Sequence, residues 1–472
     1  MQSKVSRLPL ALSGLGALAA LNLLIASRVA EGPPSRAIVL ALLPAALIGV
    51  GGLISSSRAP LVYIALAFGI VGGPADGILN GPLPLPGTIK VYSADIFVCL
   101  ALGAWLAAWL SAAPEQRPRW PRTPVLGWPL LLLAISLMQA LIRGNDQYDT
   151  AILSEPVRLI LYAGIAAAIV DLQPKSAFKW IVVLFYAGTL WHVFGALSRL
   201  ASGANTGEIS TGGFRSVALS TGMYLGGALV LALLSVDLEE RTGRRALHLV
   251  MAGLASFGIL ASFGRTNYLV AGPLVLLLLL GFRRMRTSVS AFVPLAVPAL
   301  VLIALLIPRG APEFGQTLQD RLALETGTDT SFRWRRAATA AVWEQVEQEP
   351  VRGVGFGPGA TFTLDNSSVK IGQDPHNGYV YLWAAGGLLA VGSFIALIIV
   401  FIRDAWRRLR SSDGVERALI TFSVALCLIF TLNFATTPFI TVPRMDLTLW
   451  IALLLPATVS VAGEGSARQA SE

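Results

Sequence analysis

The sequence predicts an all-α, polytopic transmembrane helix bundle, and three observations carry that prediction. Hydrophobic residues are 54 % of the 472-residue chain and charged residues only 13 %, about half of what a soluble domain carries. Apolar runs such as "YLVAGPLVLLLLLGF" and "FVPLAVPALVLIALLI" recur from end to end, each near the length that crosses the hydrocarbon core of a bilayer. Lysine and arginine collect in alternate connections between those runs. The formal charge of +9 therefore has a topological source and does not point to nucleic acid.

Taken in order, apolar segments start near residues 8, 37, 59, 93, 124, 156, 178, 217, 246, 266, 290, 379, 418 and 445, so about 12–14 spans are expected. The first follows Lys4 and Arg7 like a signal sequence. More spans come after it, and it reads as an uncleaved first helix. With that N-terminus inside, the inner connections and the two tails hold 20 Lys and Arg, including "RPRWPR", "RTGRR", "RRMR" and "RDAWRRLR". The short outer loops and outer span ends hold 9. Positive loops stay in the cytoplasm, which sets the expected orientation, with both termini cytoplasmic. Cys99 and Cys427 lie far apart inside apolar runs and predict neither a metal site nor a structural disulfide.

One outer connection is long. Residues 308–378 hold nine acidic and seven basic residues. Within them, Trp334, Ala337, Ala338, Ala341, Val342 and Val346 share one side of a helix, and Arg333, Arg336, Thr339 and Glu347 fall largely on the other. That spacing predicts an amphipathic helix that lies in the interface or caps the bundle. Pro350 ends it, and "GVGFGPG" reads as a loop. The expected organisation is then N-terminal helices over 1–204, arginine-bearing helices over 205–307, the loop over 308–378, C-terminal helices over 379–463 and a disordered tail over 464–472.

Polar residues sort by depth in this topology. Arg215 falls at the outer mouth of the eighth span, Arg265 in a tight hairpin between the ninth and tenth, and His376 at the outer mouth of the twelfth. An arginine in an apolar hairpin is costly unless it is paired or faces a wet cavity, so it is a functional candidate. The bland readings are an arginine that snorkels to lipid phosphates and a histidine that caps the helix it precedes. His248 falls on the cytoplasmic side, and His192 reads as packed or interfacial, or as lining the same outer cavity. The glycines of "GVGFGPG" could expose N–H groups to an anion, yet no Lys-Ser/Thr follows, and a turn closing the loop helix onto the bundle serves as well. Asp146 and Asp149 are the best outer acidic pair for a metal, but they lack a third ligand. No metal site is assigned.

The ordered set resembles the O-antigen ligase and polymerase superfamily of bacterial membrane glycosyltransferases. The family's "P-x-x-G-x-G-x-G" reads here as Pro350, Gly353, Gly355 and Gly357, and its "H-N" with a later glycine as His376, Asn377 and Gly387. Arg265 and Leu269 match its Arg-x-x-x-Leu hairpin, and Arg215 an earlier arginine. The resemblance covers roughly residues 205–440. It departs where the family's loop helix has Arg followed four residues later by Trp. The nearest match is Arg335 with Thr339, which leaves Arg333, Arg335 and Arg336 as alternatives for that position.

The resemblance implies a GT-C-like bundle in the bacterial inner membrane with an extracytoplasmic active site. It implies a polymerase or ligase that takes glycan from an undecaprenyl-diphosphate donor to a hydroxyl on a glycan or lipid-linked acceptor, in O-antigen or exopolysaccharide synthesis. His376, Arg265 and Arg215 would be catalytic. Asn377, Arg333, Arg335, Arg336, Gly355 and Gly357 would bind substrate, with no cofactor and no metal. Its partners would be those substrates and membrane lipids, and no nucleic acid. The competing readings are a transporter or flippase of polyprenyl-linked glycan and a protein O-glycosyltransferase.

Overall fold

A computed structural model describes residues 61–64, 67, 93–113, 123–144, 161–169, 172–202, 219–262, 264–281, 287, 330–357, 359–364, 367–371, 375–436 and 443–459. The apolar segments starting near 8, 37 and 290 lie outside these residues, as do Arg215, Asp146 and Asp149. The described residues form an all-α bundle. Its helices are α1 (Ser93–Ser111), α2 (Trp128–Arg143), α3 (Pro174–Ser202), α4 (Leu219–Leu238), α5 (Thr242–Ala261) and α6 (Arg265–Gly281). After them come α7 (Thr330–Gln348), α8 (Gly378–Arg410), α9 (Gly414–Phe434) and α10 (Pro443–Leu454).

Among the described residues, six helices are long and apolar enough to cross a membrane, and three shorter apolar helices accompany them. The protein is a multi-pass membrane protein. α4 is the most enclosed of these spans and packs on α3, α5, α6 and α9. Small residues allow that closeness: the Gly226 face meets Ile429, Gly227 meets Leu426 and Phe185, and Gly258 on α5 meets Leu225. With lipid on the outside, tight van der Waals contact of this kind substitutes for the hydrophobic drive between helices. The outer faces stay apolar, as Leu269, Leu276, Leu277 and Leu280 of α6 illustrate.

The helix ends segregate. At one end, the basic turns are internally bonded. Arg245 donates to the Glu239 carbonyl (3.2 and 2.8 Å), and the Arg241 N–H donates to the Glu239 carboxylate (3.0 Å). That last bond holds the carboxyl below its usual range. Arg408 of α8 pairs with Asp404 (3.0 Å) and donates to the Val459 carbonyl, tying α8 to the turn after α10. At the other end, Ser262 after α5 and Phe434 of α9 meet the first turns of α4, α6 and α8, and the segment after α7 bonds to the end of α2.

The long loop is only partly helical. The expected amphipathic helix is present as α7, with Ala338, Val342 and Val346 buried and Arg333, Arg336 and Glu347 exposed. Beyond α7 the chain is not an unbroken loop. Strands β1 (Ala360–Leu364) and β2 (Ser367–Ile371) form an antiparallel hairpin in which Phe362 faces Val369. Val342 and Val346 of α7, Ala360 of β1, and Val380 and Ala384 of α8 share a small core of their own.

Candidate functional site

The site is best built outward from the start of α8. Asn377 has extended backbone (φ −136°, ψ 104°), and its Oδ1 accepts the N–H groups of Tyr379 (3.2 Å) and Val380 (3.3 Å). It is the N-cap, so the capping reading passes from the histidine to the asparagine. Gly378 follows because a Cβ there would fall 1.9 Å from the Phe434 ring of α9. Pro375 is buried on the other side. Between them, His376 adopts φ 54°, the single positive value for a non-glycine residue among those described. That conformation costs about 1–3 kcal/mol and turns the side chain out of the helix. The residue is exposed, and its ring lies 4.9 Å from that of Trp334 on α7, tilted by 43°. Phe362 of the hairpin packs edge-on against the same indole at 5.8 Å. Three elements thus meet at the Trp334 indole: α7, which carries it, the hairpin, and His376 just before α8.

The glycine motif supports this arrangement from behind. α8 is broken at Gly387 (φ 70°, ψ −168°), and the segment after α7 enters the break. Val354 N–H donates to Ala384 O (2.8 Å), Gly355 N–H to Ala385 O (3.0 Å), Phe356 N–H to Ala140 O of α2 (3.0 Å), and Leu388 N–H to Pro350 O (3.0 Å). Bonds that the helix loses at its kink are returned by the loop, which is how a broken helix survives at membrane depth. Gly353, Gly355 and Gly357 have φ of 69°, 91° and 132°, open to glycine alone without strain. A Cβ on Gly353 would meet Ala385 O and Gly387 N at 2.5 Å, and one on Gly355 would meet the Arg143 carbonyl carbon at 2.8 Å. The N–H groups of Val354, Gly355 and Phe356 thus run to protein carbonyls, which is the geometry of a turn closing the loop onto the bundle.

Two residues outside the sequence-derived set complete the frame. Arg143, at the end of α2, donates to Gly353 O (2.6 Å) and pairs with Glu349 (3.4 Å). Trp383 of α8 donates its indole N–H to Pro350 O (2.8 Å) and packs on Trp343 of α7 (5.3 Å). Arg143 carried a readable signal, a cation closing an apolar span. The role of Trp334 was hidden in the apolar stripe of α7.

Arg265 is the first residue of α6. Its neighbour Thr266 contacts Thr436, just beyond α9, at 3.1 Å between hydroxyl oxygens. Asn267 is buried and donates to Ser262 Oγ (3.3 Å), in a notch that exists because residue 222 of α4 is glycine. The start of α6 and the start of α8 therefore flank the same end of α9. His376, Asn377, the Arg265 turn and the arginines of α7 share one end of the bundle, with Arg333 and Arg336 exposed and Arg335 half-buried. Of the other histidines, His192 is buried, and His248 sits 2.7 Å from the Tyr186 hydroxyl. Among the described residues, no three His, Cys, Asp or Glu side chains come together as metal ligands.

The architecture and site define a class: a polytopic helical membrane protein whose loop-capped end presents a histidine. Residues 250–395, which contain α6, the loop, the glycine motif and the His-Asn pair, match the family model described as O-antigen ligase. The O-antigen ligase of Salmonella typhimurium (strain LT2) is 23 % identical over 181 residues, 37 % of this chain and 43 % of that protein. Over this stretch the chain is similar to the O-antigen ligase and polymerase superfamily, as its motifs suggested. The chain thus matches less than half the length of that relative.

Proposed function

We propose that the protein is a membrane glycosyltransferase of surface-polysaccharide synthesis, a polymerase or ligase acting at the outer face of the bacterial inner membrane. It moves glycan from an undecaprenyl-diphosphate donor onto a hydroxyl acceptor. The observation that carries this reading is His376: exposed, held in a strained backbone and in tilted ring contact with Trp334, within the stretch similar to O-antigen ligases.

In this reading His376 takes the acceptor proton as the acceptor oxygen attacks the anomeric carbon, a task for which imidazole is the commonest side chain. The bond to the diphosphate oxygen breaks, and the departing diphosphate carries the negative charge. Arg265 and Arg215 neutralise it, since guanidinium forks stay ionised and bind phosphate oxygens in pairs. Two such cations supply the charge stabilisation that a divalent ion would otherwise give. Arg333, Arg335 and Arg336 extend the cationic surface toward the donor. Asn377 spends its carbonyl on the helix, and its amide nitrogen is the half that can donate to a sugar hydroxyl. Gly355 and Gly357 serve binding through shape, by allowing the loop to seat where it does.

The deciding test is genetic. Deleting the gene and resolving surface polysaccharide by size should leave single repeat units if the protein polymerises. It should leave lipid-linked polymer that never reaches its carrier if the protein ligates. An unchanged ladder would refute both assignments.

A further inference from the structure

His376 is held from two directions. Its main chain is fixed from the membrane side by the Asn377 cap, by Gly378 against Phe434, and by buried Pro375. Its ring is met from the loop side by Trp334, 4.9 Å away. Trp334 is itself fixed by the edge of Phe362 at 5.8 Å, and α7 is seated by Val342 and Val346. We infer that Trp334 is the positioning residue for His376, keeping the imidazole in one orientation and favouring its protonated form. This rests on the proposed role of His376 as the base.

The electrostatic half follows from the charges on the elements that meet there. Within one helical turn of Trp334 the charged residues are Arg333, Arg335 and Arg336. The hairpin strands add Lys370, the first turn of α6 adds Arg265, and the first two turns of α8 and the last turn of α9 add none. Within these stretches every charged group is a cation, the acidic residues of α7, Glu344 and Glu347, lying at least ten positions beyond Trp334. Asp374, two positions before His376, is the carboxylate nearest to it in sequence and lies outside the described residues. Arg333 and Arg336 fall largely on the other side of α7 from Trp334, yet a net positive surrounding works against an imidazolium when the base accepts its proton. An indole face attracts a cation through its quadrupole, so Trp334 offsets part of that opposition at the atom where charge develops.

The test uses the full-length protein with ring-labelled histidine and follows the imidazole titration by NMR. The His376 signal is the one of three histidines that is lost in His376→Gln. Trp334→Leu should lower the His376 pKa by about half a pH unit and move the acid limb of kcat/KM to lower pH. It should reduce kcat about 10- to 100-fold, with KM changed by less than about threefold. Trp334→Phe keeps an aromatic face and should restore most of the pKa and of kcat, which separates positioning from a loop that has lost its fold. A Trp334→Leu protein with unchanged imidazole pKa and turnover, alongside an inactive His376→Gln, would overturn this inference and leave the proposed function standing. An equal loss of melting temperature and activity in both Trp334 variants, without a pKa change, would also overturn it. A fully active His376→Gln would overturn the base assignment and this inference together.

Discussion

His376 spends conformational energy that a purely structural residue has no reason to spend. At φ 54° a glycine or asparagine would rest more comfortably, so His376→Gly and His376→Asn should match or exceed the wild-type melting temperature. Both should be inactive, with turnover down by about 10²–10⁴, the range for loss of a general base. Thermal unfolding and glycan transfer measured on the same preparations check the pair, and an active His376→Asn would remove proton abstraction from this position. Arg265→Lys should fail as well, because an ammonium cannot reproduce a planar fork. Asn377 gives the opposite pattern. Asn377→Ala removes the cap accepting two N–H groups and should cost about 0.5–2 kcal/mol, whereas Asn377→Asp should keep the helix, as chemical denaturation would register. The motif "HN" announced its importance in the sequence. Its division of labour did not, because which neighbour caps depends on backbone angles set by Pro375, Gly378 and Phe434.

Among the elements, those with a local rhythm were legible. The i, i+4, i+8 series Ala338, Val342 and Val346 marked the buried face of α7, and those residues are buried. The hairpin is harder to see, although "ATFTL" and "SVKI" alternate apolar and polar residues on either side of Asp365-Asn366. Five-residue strands are easily taken for loop when flanking glycines dominate the eye. The glycine motif was legible as a turn but not in its partner, since Gly387 lies 34 positions beyond Gly353 and only the folded chain brings them together. Their contact makes a sharp prediction. In Gly387→Ala the new Cβ would fall 2.1 Å from Val351 O at φ 70°, combining a clash with backbone strain. The loss should exceed about 4 kcal/mol, among the largest single-site effects, and should appear as poor recovery of folded protein from membranes. Gly392→Ala, in the same helix with nothing within 4 Å of its Cβ, should be nearly neutral.

At the scale of the whole molecule, the spans starting near 93, 124, 178, 217, 246, 266, 379, 418 and 445 were legible because lipid enforces them: backbone groups in hydrocarbon must bond within their own helix. The pairing of helices was not, because Gly226, Gly227 and Gly258 show their value only against Ile429, Leu426 and Leu225. Orientation rests on charge bias, and it yields a direct check. Reporter fusions after residues 120, 243, 285 and 410 should read as cytoplasmic, and fusions within 310–370 as outside. A cytoplasmic signal from the long loop would reverse the orientation and separate the site from the donor proposed for it. The exchange of hydrogen bonds between residues 350–356 and the break in α8 also bears on grafting. A transplant of the loop between relatives, cut at its sequence borders near 308 and 378, would bring in one half of that exchange and keep the host's other half. The portable cassette instead runs without interruption from α7 past Leu388, and its receiving socket is the end of α2 at Ala140 and Arg143. Swaps drawn along that seam should transfer acceptor preference with the loop, while swaps drawn at the borders should yield little folded protein.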